Sequence, residues 1–336
     1  MIENKIALKE KTVRIVVTGS LAYDYIMEFP GYFRDHVLPE KLHSLSVSFL
    51  VRSMRRMQGG VAGNVAYNLA LLGERPIIAG SVGQDFGDYR SALEIMGVDT
   101  SAIAVISDEF TASCFINTDL DNNQIVAFYP GAMNFDSQIS LDELGLGPDD
   151  LVLISPTSPE AIEHFALECQ RLGVPYVFDP GKQSPRLEAH HLRVGLQGAK
   201  VLIGNDYEFG MMAKKLGISE DELIASAPLT VMTRGEAGSR IYQRGGDVIE
   251  IPAAPISVVR DPTGAGDAYL AGLVFGLSRN LPLTVAGRIA ALASAYAIEM
   301  RGCQEHSFTH GEFAERYQHA FGEPLPAGAL GQSVNV

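Results

Sequence analysis

The chain has 336 residues, of which 46% are hydrophobic and 20% charged, a composition typical of a globular protein with one large domain or two ordinary ones. The formal net charge of −14 argues against nucleic acid or an anionic membrane surface as a partner. The three cysteines are scattered, without the spacing of a metal or redox site, and no apolar run is long enough to span a bilayer, so we expect a cytoplasmic protein.

The first predicted strand covers residues 14–19, where an Arg-Ile-Val-Val-Thr-Gly sequence ends in glycine. Asp24 follows shortly after it. Ligands of open α/β sheets gather at the carboxyl ends of strands, which makes Asp24 a candidate binding residue. An aspartate in a turn or at a helix cap would look the same, and the local sequence does not decide between the two readings.

Two segments are predicted to leave the main sheet. Residues 25–57 mix aromatic residues, prolines and histidines before an alternating stretch at 45–51, and we expect two short strands there. Residues 111–117 and 124–128 flank an Asp-Leu-Asp-Asn-Asn turn cluster and are predicted to form a hairpin. Together these strands would make a lid over a ligand or an interface between subunits.

A glycine-rich turn, Gly-Gly-Val-Ala-Gly-Asn at residues 59–64, opens a predicted helix that runs to residue 72. Its spacing is only loosely that of a dinucleotide-binding loop, because no clear strand stands directly before it and no acid follows about twenty residues later. We favour a turn in which Gly59 and Gly60 let a small polar ligand approach the backbone, while the Asn64 amide binds its hydroxyl groups.

From residue 150 onward, predicted strands alternate with predicted helices. This order implies right-handed crossovers and a mostly parallel sheet with helices on both faces. A long helix is predicted to begin at Pro282 and to run to about residue 300. Several strands end in polar residues, at the edge where ligands bind: Asp179, Asn205 with Glu208, and Thr233 with Gly235 and Gly238.

A polar, glycine-rich turn at residues 261–267 runs into an apolar segment, residues 268–277, with the spacing of a buried helix. The helix would begin near Gly264, and its first amides, unpaired within the helix and at the positive end of its dipole, would form a cradle for an anion. Asp267 lies inside this cradle, where a carboxylate would repel a bound phosphate but can take a proton from an attacking hydroxyl. A capped helix with an acid in its first turn explains the stretch equally well.

Four motifs, in this order along the chain, resemble those of the ribokinase-like carbohydrate kinase family, also called the PfkB family. The Asp-Pro-Thr-Gly-Ala-Gly-Asp turn at 261–267 is similar to its C-terminal signature, and the Gly-Gly turn at 59–64 with its helix is similar to its N-terminal signature. The Asn-x-x-Glu sequence at Asn205 and the Thr-x-Gly-x-x-Gly sequence at Thr233 are similar to its two middle motifs. Four motifs in the family's order are not expected by chance.

The resemblance implies a three-layer α/β fold with a mostly parallel central sheet, helices on both faces and a small β lid. The large domain would comprise residues 13–24, 58–110 and 131–322, and the lid residues 25–57 and 111–130. Residues 323–336, rich in glycine and proline, are predicted to form a flexible tail. The resemblance also implies magnesium-assisted phosphoryl transfer from ATP to a hydroxymethyl group and, as in some members, a homodimer formed through the lid strands.

Roles in this chemistry carry over to matching positions. Asp267 would be the general base, and the anion hole would be Gly264, Ala265 and Gly266. The acceptor hydroxyl groups would be held by Asp24, Gly59, Gly60 and Asn64. The ATP contacts would be Asn205, Thr233, Gly235, Gly238 and Thr263, and Glu208 would hold magnesium through water. Many members bind a monovalent cation such as potassium, for which the matching positions are Asp261, Thr263, Ala297, Met300, Gly302 and Ser307.

The acceptor is the least determined part of the prediction. Ribokinases commonly place a glutamate where this chain has Ser155 and Pro156, which weakens a reading as a free-ribose kinase. The Asp-Pro-Gly sequence that begins at Asp179 resembles one seen in some microbial nucleoside kinases. We favour adenosine or a related nucleoside, with a free sugar as the alternative. A non-catalytic sensor is disfavoured, because it would be expected to lack the base or the anion hole.

Aromatic residues of the predicted lid could contact a nucleobase. Phe115, Phe128 and Tyr129 all lie in or beside the predicted hairpin, and aromatic rings stack on bases. Packing within the hairpin would explain the same residues. We assign Phe115 and Tyr129 to the substrate site.

Overall fold

The structure, a computed structural model, describes residues 13–37, 43–44 and 46–330. Within this part of the chain it has thirteen strands: β1 (Ile15–Thr18), β2 (Ala22–Glu28), β3 (Ser53–Gly59), β4 (Ile77–Gly83), β5 (Ile103–Ile106), β6 (Ala112–Thr118), β7 (Gln124–Tyr129), β8 (Leu151–Ile154), β9 (Tyr176–Phe178), β10 (Val201–Asn205), β11 (Leu229–Thr233), β12 (Ser239–Gln243) and β13 (Val248–Ile251). The same residues form nine α-helices: α1 (Val61–Leu71), α2 (Gly87–Ile95), α3 (Pro159–Leu172), α4 (Ala189–Leu196), α5 (Asp206–Leu216), α6 (Glu220–Ile224), α7 (Ala265–Ser278), α8 (Leu283–Ile298) and α9 (His310–Phe321). Among these helices, none is both long and apolar enough to cross a membrane.

Nine strands form the main sheet, in the order β13-β12-β11-β10-β9-β8-β1-β4-β5. The pairs from β5 to β11 are parallel, and β12 and β13 continue the sheet in antiparallel fashion. Along β1, Ile15 and Val17 belong to the apolar cluster that contains α7 and α8, and Val16 belongs to the cluster that contains α3 and α5. Helices therefore cover both faces, which confirms the predicted three-layer α/β fold.

The other four strands form a separate sheet in the order β3-β2-β6-β7, which we call the lid sheet. β2 pairs antiparallel with β3 and parallel with β6, and β6 and β7 form the predicted hairpin. Every residue of β7 is exposed, and β7 lies at an edge of the sheet. This small sheet therefore has far less apolar cover than the main sheet.

The second lid strand lies later in the chain than the alternating stretch predicted. Residues 46–52 form no strand, and β3 begins at Ser53; Leu45 lies outside the described residues. The stretch forms an aromatic contact instead, because the ring of Phe49 lies 5.1 Å from that of Phe29. Val47 is 38% and Leu50 86% exposed, so the alternation does not mark a buried strand face here, and the strand position was predicted wrongly.

The C-terminal residues pack on the main body as far as they are described. Ala329 is buried, and Leu325 and Leu330 contact the apolar cluster of α7 and α8. Pro324, Pro326 and Ala327 are exposed, and the flexibility of the tail stays a prediction. Residues 331–336 lie outside the described part of the chain.

Candidate active site

The predicted anion cradle forms at the start of α7. Gly264 is the N-cap of this helix and has a φ of +80°, a left-handed conformation that favours glycine. A Cβ at Gly264 would also lie only 2.9 Å from Sγ of the buried Cys303. Next to it, a Cβ at Gly266 would meet nothing within 4 Å. The first amides of α7 therefore border open space in which an anion can approach the positive helix end.

Asp267 lies in the first turn of α7, and its Oδ2 accepts a hydrogen bond of 2.7 Å from Nδ2 of Asn64 in α1. Burial raises the pKa of Asp267 above its usual value, while the Asn64 donor and the charge of Lys182 act in the opposite direction. Desolvation makes the carboxylate a better proton acceptor, as a general base requires. The structure thus brings together two residues that the sequence placed in separate motifs.

Asp24 projects from β2 towards the same site. A Cβ at Gly59 would lie 2.6 Å from Oδ2 of Asp24, so the glycine leaves room for this carboxylate. The pKa of Asp24 is raised to about 6, mainly by burial and also by the charges of Asp267 and Asp261, while the charge of Lys182 lowers it. The effect of the Asp267 charge on the pKa of Asp24 agrees with a common site for the two carboxylates.

Asn205 and Glu208 cap α5 reciprocally. The Glu208 amide donates to Oδ1 of Asn205 at 2.8 Å, and the Asn205 amide donates to Oε2 of Glu208 at 2.9 Å. Burial raises the pKa of Glu208, and the pKa of the half-buried Asp179 is raised well above its usual value by desolvation and by the charges of Glu208 and Asp267. Carboxylates that repel one another at the end of a sheet are the oxygen donors that Mg²⁺ prefers, so these residues fit a magnesium ion.

Lys182 is a site residue that the sequence analysis missed. Its positive charge lowers the pKa of Asp24, Glu208 and Asp267. Lys182 directly follows the Asp-Pro-Gly sequence at the end of β9, and it is exposed. A basic residue next to that sequence was the available signal, because strand ends of the main sheet converge on the site.

A cleft of about 630 Å³ borders the start of α7. This volume lies within the usual range of small-molecule sites. Its lining joins residues of the third motif to the anion cradle and to α8: Thr233, Gly235, Gly238, Ala265, Gly266 and Ser294. The segment Ala253–Ile256 after β13 also lines it, which no sequence signal indicated. Of the described residues assigned to ATP, Asn205 and Thr263 do not line this cleft.

The turn before α7 is closed by Asp261. Its Oδ1 accepts from the Thr263 amide at 3.0 Å, and its Oδ2 accepts from the Gly302 amide at 3.1 Å. The Ala297 carbonyl accepts from the Met300 amide at 3.2 Å at the end of α8. Three of the positions assigned to a monovalent cation, Asp261, Thr263 and Gly302, are thus joined through the Asp261 carboxylate. The Ala297 carbonyl has a bond of its own and offers a cation only its second lone pair.

The register of the lid sheet decides which of its residues share a face with Asp24. Asp24 pairs with Cys114, and Cys114 pairs with Phe128. Paired residues of a ladder project from the same face, and neighbours along a strand project from opposite faces. Phe115 and Tyr129 therefore lie on the other face, contrary to a contact with an acceptor bound at Asp24. The charge of Asp24 also raises the pKa of the Cys114 thiol, after the larger effect of burial, which agrees with this placement.

Phe115 and Tyr129 have contacts that explain them without a substrate. The ring of Phe115 stacks on Tyr25 with 4.8 Å between centroids, and the Tyr129 hydroxyl donates to Oε2 of Glu109 at 2.6 Å. The sequence left open packing within the hairpin; the contacts found are instead with Tyr25 of β2 and with Glu109 before β6. Of the three aromatic residues considered, Phe128 is the one on the face of Asp24.

This chain is similar in sequence and in structure to known kinases. A sequence model of the pfkB carbohydrate kinase family matches residues 15–309. A nucleoside kinase of Methanothermobacter thermautotrophicus is 31% identical over 315 residues, which cover 93% of this chain and 98% of that protein. The structure of a Burkholderia thailandensis nucleoside kinase in complex with inosine has a TM-score of 0.81 and 37% identity, with 92% of this chain and 99% of that chain covered. The Methanocaldococcus jannaschii nucleoside kinase, an archaeal member of the ribokinase family, has a TM-score of 0.78 at 28% identity, with coverages of 92% and 99%.

The family match and the fold agree over nearly the whole described chain. The match begins with β1 and ends at residue 309, directly before α9, so it includes both sheets and the turn that leads into α7. The expectation drawn from four short motifs is thereby confirmed, and this chain belongs to the pfkB family of carbohydrate kinases.

Proposed function

We propose that the protein transfers the γ-phosphoryl group of ATP to the hydroxymethyl group of a nucleoside. One observation carries the proposal: the start of α7 lines the 630 Å³ cleft through Ala265 and Gly266, while Asp267, in the same turn, bonds Asn64 and interacts with Asp24. A donor in the cleft and an acceptor at Asp24 would thus meet at one helix end. The nucleoside kinases among the similar proteins support a nucleoside as the acceptor.

Asp267 accepts the proton of the acceptor hydroxyl as that oxygen attacks the phosphorus atom. Phosphoryl transfer depends mainly on positioning and on stabilising charge, and a well-placed base contributes roughly 10²–10⁴ in rate. The amides of Gly264, Ala265 and Gly266 face the charge that develops on the moving group. We assign Lys182 to the same task, since its positive charge acts on the carboxylates of the site and its side chain is exposed.

The donor side of the site holds the nucleotide. ATP is bound in the cleft by Thr233, Gly235 and Gly238, and α8 lies along its adenine base. The phosphate end of ATP is contacted by Asn205 and Thr263. Glu208, with one carboxylate oxygen outside the capping box, would hold Mg²⁺ through water. When bound, Mg²⁺ would neutralise charge on the phosphate oxygens.

The turn around Asp261 is the proposed site of a monovalent cation such as potassium. Carboxylate and carbonyl oxygens are suitable ligands for a hard cation, and this turn lies directly before the anion cradle. The residues assigned to this site are Asp261, Thr263, Ala297, Met300, Gly302 and Ser307. A cation there would stabilise the turn that presents Gly264.

The acceptor side combines the main body with the lid. Asp24, Gly59, Gly60 and Asn64 bind the ribose hydroxyl groups, and Phe128, on the face of Asp24, contacts the base. We propose that residues 25–57 and 111–130 act as a lid over the body formed by 13–24, 58–110 and 131–322. A lid that closes over the acceptor excludes water, which would otherwise compete for the phosphoryl group.

The lid sheet is also the surface that we propose for a homodimer. β7 is an exposed edge strand, and it exposes 46% of Ile125 and 54% of Val126. Exposed apolar edge strands commonly pair with another chain. Light scattering after gel filtration should give twice the chain mass, and Val126→Lys should lower it to the mass of one chain. A wild-type monomer would contradict the dimer.

Product analysis tests the proposed function. The protein is incubated with ATP, Mg²⁺ and adenosine, inosine, guanosine, cytidine, ribose or fructose, and the products are identified by mass spectrometry. We expect a nucleoside 5′-monophosphate and stoichiometric ADP, with Asp267→Asn as the matched blank. Phosphorylation of ribose or fructose alone would replace the nucleoside with a free sugar. The absence of any phosphorylated product would contradict the kinase proposal.

A further inference from the structure

Gln304 lies in the loop between α8 and α9 and reaches into the site from a third direction. Its Nε2 donates to Oδ1 of Asn64 at 2.9 Å and to the hydroxyl of Tyr89. We infer that Gln304 is a positioning residue, which orients the Asn64 amide and thereby the hydrogen bond that Asn64 donates to Asp267. This inference rests on the proposed function only in taking Asp267 as the base.

The direction of each hydrogen bond follows from a backbone carbonyl. The Tyr89 hydroxyl lies 2.9 Å from the Gly59 carbonyl, which can only accept, so the tyrosine donates to it. The Tyr89 oxygen must then accept from Gln304, which fixes the side-chain NH₂ of Gln304 on this side. Its second N–H meets Oδ1 of Asn64, and the NH₂ of Asn64 is left to point at Asp267. No member of this chain of bonds can be reversed without an unpaired or repulsive contact.

Burial keeps this network in place. Tyr89 is fully buried, which raises the pKa of its hydroxyl and keeps the proton that it donates. A Cβ at Gly63 would lie 1.9 Å from the Tyr89 oxygen, so α1 leaves space where the tyrosine and Gln304 meet. The loop that carries Gln304 is also fixed to α1, since Nε2 of the buried His306 lies 2.8 Å from Oδ1 of Asn68.

The orientation of Asn64 matters for the state of Asp267. An N–H that points at the carboxylate favours its charged form and occupies Oδ2, which leaves Oδ1 for the acceptor hydroxyl. If Asn64 turned by half a rotation, its own oxygen would face the carboxylate and favour the protonated form. The titratable groups that also interact with Asp267 are Asp24, Asp179, Lys182 and Cys303. Changes at Gln304 leave all four in place.

The variant Gln304→Met tests this role, since methionine is similar in length, uncharged and unable to donate. Gln170→Met is the matched control, because Nε2 of Gln170 likewise bonds a tyrosine hydroxyl, that of Tyr176 at 3.3 Å, on the opposite face of the main sheet. ¹³C NMR titration of the Asp267 carboxyl, assigned with Asp267→Asn, measures its protonation directly. We expect the midpoint in Gln304→Met about one pH unit higher than in wild type, and that of Gln170→Met unchanged.

Kinetics give a second readout. The acidic limb of the kcat profile should move to higher pH in Gln304→Met, with kcat at neutral pH reduced about tenfold. Tyr89→Phe, which removes the anchor of Gln304 together with the hydrogen bond to the Gly59 carbonyl, should move the midpoint in the same direction by less. A titration midpoint of Asp267 that coincides in wild type and Gln304→Met would overturn the inference. If the wild type is inactive as a kinase but the Asp267 midpoint still moves in Gln304→Met, the proposed function would be overturned and the role of Gln304 would stand.

Discussion

The transfer centre and the lid sheet are built in opposite ways. At the transfer centre, side chains from distant segments hold one another: Asp267 bonds Asn64 across 203 positions of the sequence, and Asn64 bonds Gln304. In the lid sheet, β7 is joined to the rest by its ladder with β6 and exposes all six of its residues. The first arrangement suits a reaction that needs fixed geometry, and the second suits a surface that must open and close.

The largest effect is expected at the transfer centre. Asp267→Asn should lower kcat at least about a hundredfold, because it removes the base while the amide keeps the shape of the side chain. Binding of ATP and nucleoside, measured by calorimetry, should stay within a few-fold of wild type. A kcat close to the wild-type value would show that Asp267 is not the general base, and the proposed site would then have no assigned general base.

Asp24 tests where the two regions meet. Asp24→Asn should raise the KM for the nucleoside about tenfold and leave ATP binding unchanged, because an ionised carboxylate accepts hydroxyl hydrogen bonds more strongly than an amide. The raised pKa of Asp24, about 6, adds a pH effect. An acid loses its charge as the pH falls through its pKa, so the wild-type KM should rise below pH 6. The KM of Asp24→Asn should lack this rise, and a parallel rise in both proteins would assign it to another group.

A pair of phenylalanines separates the two faces of the lid sheet. Phe128→Ala should raise the nucleoside KM several-fold, since it removes an aromatic surface on the face of Asp24. Phe115→Ala is the matched control on the opposite face and should change KM less than about twofold, because the lost ring contacts Tyr25 instead. Initial rates against nucleoside concentration decide the matter, and the reverse order of effects would show that the acceptor contacts the other face.

The smallest effect is expected at Tyr129. Its hydroxyl bonds Glu109 on the exposed side of the lid, where water competes for the same hydrogen bond. Tyr129→Phe should therefore leave kcat/KM within about twofold of wild type and shift the melting temperature only slightly. A large loss of nucleoside affinity would place Tyr129 in the acceptor site after all.

The parts of the protein that local chemistry determines could be predicted from the sequence. A glycine-rich turn before an apolar segment specifies a helix start, and that start, at α7, holds Asp267, the proposed general base, in its first turn. What depends on distant contacts could not be predicted. Period-2 alternation shows that Phe115 and Phe128 occupy strands, but only the pairing of β6 with β7 shows which one lies with Asp24. Gln304 belongs to no motif and acquires its role only through contacts made in the fold.

The central claim is that the lid and the transfer centre act together on a nucleoside. A direct test is the ratio of kcat/KM for the best nucleoside to that for free ribose, measured on one preparation with saturating ATP and Mg²⁺. We predict a ratio of at least about a hundred, since the nucleobase and its contacts on the lid contribute binding that ribose cannot replace. A ratio near one or below would contradict the account, because the lid would then gain no binding from the nucleobase.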